Sequence, residues 1–342
     1  MGMLALASEF ARTDRPGQPE EREPPHPAPK DIAMTVPIPA TTAAAARPAW
    51  PAGDTIAYGA VHLDVTDLDR AAAFWRDTIG LHELGASAEL VVLGVPGREL
   101  VVLHAGATRP AAPGNAGLYH VAIHLPDARE FARVVARLSH LRIPQSPTDH
   151  IFTQATYVRD PDGLMLELTL ETPERYGSIE VADGQVVLID SDGRRRGGSE
   201  PLDVARVLAA LDGPIAAPLP AGTFVGHVHL HVADLAGAYR YYADVVGFSE
   251  HALMTPIGMA DLGAGGTSPH RIALNDWHGA GARQPASGTA GMRHFELLVP
   301  SREVLNALAS RAEVAIGDDE TLRLHDPAGN AFDVTAADGA TS

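Results

Sequence analysis

The stretch HLDVTDLDRAAAFWRDTIGL at residues 62–81 decides the fold, because the chain repeats it without a gap as HLHVADLAGAYRYYADVVGF at residues 229–248. Each copy begins as an alternating strand, continues into an amphipathic helix with an Asp at its start, and reaches a Gly. A duplication explains this match best, so the chain is expected to contain repeated structural units.

A second pair of repeats follows the first pair. The segments GLYHVAI at 117–123 and GMRHFEL at 291–297 each run to a turn, DPDG at 160–163 or DPAG at 326–329, and then to a strand. We number the four units, of about 50 residues each, modules 1 to 4. Each is predicted to be a βαβββ module, which gives an α+β fold of two paired-module half-barrel domains.

The predicted domain boundaries follow the chain order. Nine of the 27 prolines lie in the first fifty residues, which indicates a disordered tail, although Met34 is an alternative start site. One short helix, Leu202 to Leu211, is expected in the connection between the two halves. The boundaries are a tail at 1–54, modules 1 and 2 at 55–172, the connection at 173–222, modules 3 and 4 at 223–337, and a C-terminal tail at 338–342.

Composition excludes several classes of protein. The 342 residues include 26 Lys+Arg and 43 Asp+Glu, a net charge of −17, which argues against nucleic-acid and anionic membrane partners. There is no cysteine, so a metal would have to be held by carboxylates and some of the 16 histidines. With no long apolar run and no secretory signal, the expected location is the cytoplasm.

Strand alternation places most candidate ligands on one face. In module 3, His227, His229 and His231 alternate with apolar residues, so all three lie opposite the helix-packed face. In module 2, His120 and the later Glu167 have the same orientation. This polar face is expected to be concave.

These residues resemble the vicinal oxygen chelate superfamily, and within it the catechol 2,3-dioxygenase-like extradiol enzymes, from about Ile56 to Thr335. The order and spacing of the motifs carry the resemblance: GLYHVA at 117–122, Asp149-His150, ATYVRDPDG at 155–163 before Glu167, GHVHLH at 226–231, and Gly265-Gly266 followed by His270 and IALNDW at 272–277. The resemblance implies Fe(II), less often Mn(II), held by two His and one Glu. It also implies ring cleavage of a catechol-type aromatic diol by O2, beside the diol.

A metal that binds a bidentate diol and O2 together needs three protein ligands and three open positions. Module 1 has Ala60 at the position where module 3 has His227. If modules 2 and 3 face each other, their cup contains His120, Glu167 and His227, which is the predicted ligand set. Two alternatives remain open at this point. One is a C-terminal set of His227, His294 and Asp333, and the other is a solvated sheet face without a metal.

The predicted catalytic residues are His150, Tyr157 and His270. An imidazole can take a proton from the diol and return it to a leaving oxygen, and we expect His270 to deliver that proton. The resemblance places an active-site tyrosine at Tyr157. A loop role for His150 and a packing role for Tyr157 are the alternatives, and Arg271 is an alternative partner for an anionic substituent.

The leading hypothesis is therefore an Fe(II)-dependent extradiol dioxygenase. One rival is a glyoxalase-type metal-dependent lyase or isomerase, which usually has a second Glu that is not found here at a matched position. Another is a non-catalytic protein that binds a small aromatic ligand. The expected partners are the diol and O2, and a homo-oligomer is possible because paired-module proteins often self-associate.

Overall fold

The computed structural model describes residues 53–182 and 184–337. Except for Gly53 and Asp54, the tail expected at 1–54 lies outside these residues, as does the one at 338–342. The described chain is a mixture of β-sheets and short helices, so the predicted α+β class is confirmed.

Modules 1 and 2 have the predicted βαβββ order. Module 1 contains β1 (Ala57–Val65), α1 (Leu68–Ala73) with a π-helical extension (Phe74–Ile79), β2 (His82–Ala86), β3 (Leu90–Val95) and β4 (Arg98–Ala105). Module 2 contains β5 (Gly117–His124), α2 (Ala128–His140), β6 (Ser146–Asp149), β7 (Thr153–Arg159) and β8 (Met165–Glu171).

The connection is more structured than predicted. It contains a 3₁₀ turn (Pro173–Arg175), β9 (Tyr176–Ala182), β10 (Gln185–Asp190), β11 (Arg195–Arg196), β12 (Glu200–Pro201) and α3 (Val204–Leu208). The helix expected from Leu202 to Leu211 is thus present but shorter. Strands β9 to β11 form a separate three-stranded sheet that sequence reasoning did not predict.

Modules 3 and 4 differ in one strand. Module 3 contains β13 (Phe224–His231), α4 (Leu235–Arg240) with a π-helical extension (Tyr241–Val246), β14 (Ser249–Met254), a 3₁₀ turn (Thr255–Ile257), β15 (Met259–Gly263) and β16 (Ile272–Asn275). Module 4 contains β17 (Gly291–Val299), α5 (Arg302–Ala312), β18 (Leu322–His325) and β19 (Ala331–Ala336). It has two strands after its helix where three were expected, because the polar segment 317–320 forms turns instead of a strand.

The sheets combine modules from opposite halves of the chain. One sheet has the order β18-β19-β17-β1-β4-β3-β2, and the larger one has the order β12-β6-β7-β8-β5-β13-β16-β15-β14. We call them sheet 1/4 and sheet 2/3 after their modules. At their centres β1 pairs antiparallel with β17, and β5 with β13. Modules 1 and 2 therefore contribute to different sheets, although the predicted domain at 55–172 groups them together. The domain boundaries themselves remain a prediction.

The helices start and end as the repeat predicts. The side chain of Asp67 accepts a hydrogen bond from the Arg70 backbone at the start of α1, and Asp234 does the same for Gly237 in α4. Both π-helical extensions end at a left-handed glycine, Gly80 (φ 98°) or Gly247 (φ 102°). The helices bury one face of each sheet, which leaves the opposite face for polar side chains.

No helix within the described ranges is long and apolar enough to cross a membrane.

Candidate metal centre

Three adjacent strands at the centre of sheet 2/3 carry His120, Glu167 and His227. His120 lies on β5, Glu167 on the parallel neighbour β8, and His227 on the antiparallel neighbour β13. Because their side chains leave the sheet on the same face, the three meet above β5. The structure thus brings together the three ligands that the pairing of modules 2 and 3 predicted.

The three ligand atoms form a nearly equilateral triangle. Oε2 of Glu167 is 3.0 Å from Nε2 of His120 and 2.9 Å from Nε2 of His227. The two nitrogens are 3.2 Å apart. Ligands at right angles on bonds of about 2.1 Å are separated by about 3.0 Å, so the triangle has the size of one face of an octahedral site. Two nitrogens and one carboxylate oxygen on one face suit a divalent metal and leave three positions open.

Burial sets the protonation states that metal binding needs. All three side chains are buried, with at most 3 % of each exposed. Burial lowers the pKa values of His120 and His227, which keeps both rings neutral. Burial would raise the pKa of Glu167, but the two imidazoles outweigh it and hold that pKa well below its usual range. A carboxylate beside two neutral imidazoles is the state that binds a cation.

A chain of hydrogen bonds positions His227. Its Nδ1 lies 3.0 Å from Nε2 of His124, whose Nδ1 lies 2.8 Å from Oε1 of Glu171. If Nε2 of His227 binds a metal, neutral rings satisfy both contacts: His227 Nδ1–H donates to His124, and His124 Nδ1–H donates to Glu171. Glu171 also pairs with Arg271, which is paired with Asp54 at 2.6 Å.

His120 has fewer hydrogen-bond partners than His227. Its Nδ1 is buried and has no hydrogen-bond partner among the described residues. Only the contacts through Nε2 and the packing of neighbouring rings therefore hold this imidazole in place. The rings of Tyr157 and His229 pack edge-on against it, with centroids 5.4 and 5.0 Å away.

His270 lies directly beside the triangle. The centroid of its ring is 4.3 Å from that of His227, and its Nδ1 is 2.8 Å from Oδ1 of Asp261. Burial would lower the pKa of His270, but the Asp261 carboxylate outweighs burial and raises it. With Nδ1–H donated to Asp261, Nε2 is the nitrogen that can exchange a proton. This arrangement suits a general acid/base.

His150 and Tyr157 form a second pair. Nε2 of His150 is 2.8 Å from the Tyr157 hydroxyl, and Nδ1 is 2.6 Å from the carbonyl oxygen of Gly198. His150 therefore donates Nδ1–H to that carbonyl and accepts from the tyrosine. Burial and the nearby Glu167 charge raise the pKa of Tyr157 well above its usual value, so the phenol stays protonated.

An aromatic wall borders the triangle on a third side. The ring of Tyr119 lies 4.7 Å from His229 and 5.2 Å from Trp277, centroid to centroid. Trp277 is 36 % exposed, so this wall extends from the triangle to the surface. Asn275 donates to Nε2 of His229 at 2.9 Å and fixes that ring.

The structure also decides between expectations that the sequence left open. The alternative ligand set of His227, His294 and Asp333 is wrong, because His294 and Asp333 lie in sheet 1/4, the other sheet. Arg271 is also wrong as a binder of an anionic substituent. It is 3 % exposed and is paired with two carboxylates, so its charge is already matched.

Sequence reasoning missed several supporting residues. His124 and Glu171 lie two and four strand positions beyond Ala122 and Glu167, so the period-2 pattern that selected the ligands also carried their signal. Asp261 offered no such signal. It reaches His270 only because β15 pairs with β16 and the following turn brings the two side chains together.

Comparisons with known proteins agree with this description. The model of the family "Glyoxalase/Bleomycin resistance protein/Dioxygenase superfamily" matches residues 57–168. A catechol-2,3-dioxygenase of Bacillus subtilis (strain 168) is 29 % identical over 281 residues, which is 80 % of this chain and 95 % of that protein.

One solved structure shares the fold. A Bacillus subtilis (subsp. subtilis, strain 168) protein assigned as a dioxygenase superposes with a TM-score of 0.53 at 13 % identity, covering 82 % of this chain and 86 % of that one. Glyoxalase I from Zea mays superposes with a TM-score of 0.46 at 15 % identity, covering 83 % and 94 %. Residues 57–168 thus match the glyoxalase/bleomycin resistance protein/dioxygenase superfamily, and the similarity to a relative extends along most of the chain.

Proposed function

We propose that this protein is an Fe(II)-dependent extradiol dioxygenase that cleaves the ring of a catechol-type diol with O2, and that His120, Glu167 and His227 bind the metal. One observation carries the proposal, namely the triangle of two imidazole nitrogens and one carboxylate oxygen with edges of 2.9 to 3.2 Å. The catechol-2,3-dioxygenase relative supports it.

The metal would supply coordination of the diol and of O2 next to each other, on the side of the site away from the three ligands. Iron is the metal that we propose, with Mn(II) as the other candidate. Because the ligand set has one negative charge, a divalent metal leaves a site of charge +1, which favours an anionic catecholate.

His270 is proposed to move the proton. Its free Nε2 accepts the proton of a diol hydroxyl, and the charge that appears on the ring is stabilised by Asp261 at 2.8 Å. The same nitrogen then returns the proton to an oxygen atom that is released when the O–O bond of O2 breaks. A ring held by a carboxylate serves both steps without moving.

His150 and Tyr157 are proposed to orient the substrate. The Tyr157 hydroxyl donates to His150, so its oxygen remains free to accept a hydrogen bond from a diol hydroxyl. The Tyr119–Trp277 wall offers an aromatic surface for the ring of the substrate. Together these groups give the diol one preferred orientation.

The test is aerobic turnover of catechol by protein that has been loaded with Fe(II) without oxygen. The expected result is a yellow ring-opened product and consumption of one O2 per catechol. A protein that instead converts a glyoxalase-type substrate belongs to the lyase alternative. A protein that binds catechol without either reaction is a binding protein, and both results contradict the proposal.

A further inference from the structure

Sheet 1/4 carries a second group of metal-binding side chains. His62 lies on β1, and His294 and Glu296 lie on the adjacent β17. A nitrogen of each ring and an oxygen of Glu296 all lie within 4.8 Å of one another. Nε2 of His62 is 3.1 Å from Oε1 of Glu296, and the two rings stack with centroids 4.0 Å apart.

The repeat relates this group to the triangle of sheet 2/3. His294 is the counterpart of His120, because both are the fourth residue of the matching segments at 117–123 and 291–297. His62 is the counterpart of His229, since both begin the matching segments at 62–81 and 229–248. Each pair lies in register across the central strands, His62 opposite His294 and His229 opposite His120.

The third proposed ligand comes from a different strand in each cup. In sheet 2/3 the large His227 on β13 lies opposite the small Ala122 on β5. At the counterpart positions of sheet 1/4 the small residue is Ala60, and the large one is Glu296 on the partner strand. Glu296 reaches over Ala60 and accepts a hydrogen bond from its backbone N–H through Oε2 at 2.9 Å. A donor group therefore fills the same space in both cups but comes from opposite strands.

The local structure orients these side chains towards one another. A Cβ at Gly59 would lie 2.4 Å from Oε2 of Glu296, so only glycine allows the carboxylate to lie there. This leaves Oε1 directed at His62. Nδ1 of His62 is 2.9 Å from Nε2 of His104, which repeats the way in which His124 supports His227.

We propose that His62, His294 and Glu296 form a second binding site for a divalent transition-metal ion. Two nitrogens and one carboxylate oxygen are the donors that such ions prefer. Asp333, 3.7 Å from Nε2 of His294, is not a ligand here because both of its oxygens pair with Arg323. The Glu296 side chain is 39 % exposed, so an ion can exchange more freely here than in the buried triangle.

The experiment counts zinc ions bound to the full-length protein. Metal-free protein is dialysed to equilibrium against buffered free Zn(II), and metal is measured by mass spectrometry. We expect two ions per chain in the wild type, one in Glu296→Gln, one in Glu167→Gln, and none in the double variant. Asp64→Asn is the matched control, because it removes a carboxylate two residues from His62 that pairs with Arg293 instead. It should retain two ions.

A second variant, His294→Asn, removes a different ligand of the proposed site, so the test does not depend on Glu296→Gln folding correctly. Thermal unfolding of the metal-free proteins shows whether both variants are folded. The proposal is overturned if either folded variant binds as many ions as the wild type at every free Zn(II) concentration. It is independent of the proposed function. If Glu296→Gln binds one ion fewer than the wild type but still cleaves catechol, the second site is supported. If the wild type binds a Glu296-dependent ion but cleaves no catechol, the second site is still supported and only the dioxygenase proposal fails.

Discussion

Replacing His124 with Phe tests how the protein positions His227, a proposed metal ligand, through a residue that is not itself a proposed ligand. Phe keeps a ring of similar size in the space beside Gly226, where an added Cβ would lie 2.2 Å from the His124 ring. It removes the 3.0 Å acceptor for Nδ1 of His227 and the donor to Glu171. Glu171 keeps its pairing with Arg271, so its carboxylate is still matched by a cation in the variant.

The expected loss of metal affinity follows from the tautomer of His227. Without metal, the ring of the variant can carry its proton on Nε2 and donate to Glu167 at 2.9 Å. With metal on Nε2, the proton must sit on Nδ1, which is buried and would then lack a partner. An unsatisfied buried donor costs about 1 to 3 kcal/mol. This cost falls on the metal-bound state alone and weakens binding about 5- to 150-fold.

The assay is a competition between the protein and a chromophoric chelator for Fe(II) under anaerobic conditions. His251→Phe is the matched control. It removes a histidine of the same sheet whose 2.8 Å partner is the hydroxyl of Tyr176 and that touches none of the three proposed ligands. The control should bind Fe(II) as the wild type does. A folded His124→Phe protein with a Kd within twofold of the wild-type value would refute the role of this hydrogen-bond chain.

Three further predictions rest on separate observations. Glu167→Ala should lose the iron of the buried triangle while keeping the fold, and metal analysis with circular dichroism checks this. The prediction is contradicted if both Glu167→Ala and the double variant Glu167→Ala with Glu296→Gln still bind stoichiometric iron. His270→Phe should keep that iron but lower turnover by about 10² to 10⁴, the range for a lost general acid/base. His150→Phe should also keep the iron and lower turnover because the diol is less well oriented, and full activity in both variants contradicts these roles. Burial raises the pKa of Asp160 to about 6, so its stabilising neutral form is complete below about 3.8 and is lost as the pH rises through 6. Asp160→Asn should therefore gain about 3 kcal/mol relative to the wild type between pH 4 and pH 7 in urea unfolding, and a difference that does not change with pH contradicts this.

The sequence was most informative where a residue's role depends on strand alternation and on the repeat. His120 and His227 were predictable because period 2 puts them on the polar face and the duplication aligns their strands. The choice between modules 2 with 3 and modules 3 with 4 depended on one observation, Ala60 in place of a ligand. That observation selected the cup in which the structure brings His120, Glu167 and His227 together, although the predicted boundaries had followed chain order.

The same reasoning could not find Glu296. It compared modules position by position, and Glu296 does not match a ligand in any other module. Its side chain fills the space above Ala60 because antiparallel pairing places two strands of different modules side by side. A contact between strands more than two hundred residues apart depends on register, which the alternation within one strand does not fix.

The counterparts of the proposed acid/base and orienting residues indicate why chemistry is proposed for one cup only. His229 pairs with Ala273, and its counterpart His62 pairs with Val102. His270 lies three residues before Ala273, and the residue three before Val102 is Glu99. Glu99 is therefore the counterpart of His270 in sheet 1/4.

The same comparison applies to the tyrosine. Tyr157 lies opposite Glu167, whereas Arg323 lies opposite Asp333, the residue that matches Glu167 in the repeat. An arginine there pairs with the carboxylate and cannot exchange a proton near neutral pH. Sheet 1/4 thus contains the proposed second site but has neither an imidazole nor a phenol at the positions that match His270 and Tyr157. Catechol cleavage should therefore depend on Glu167 and not on Glu296.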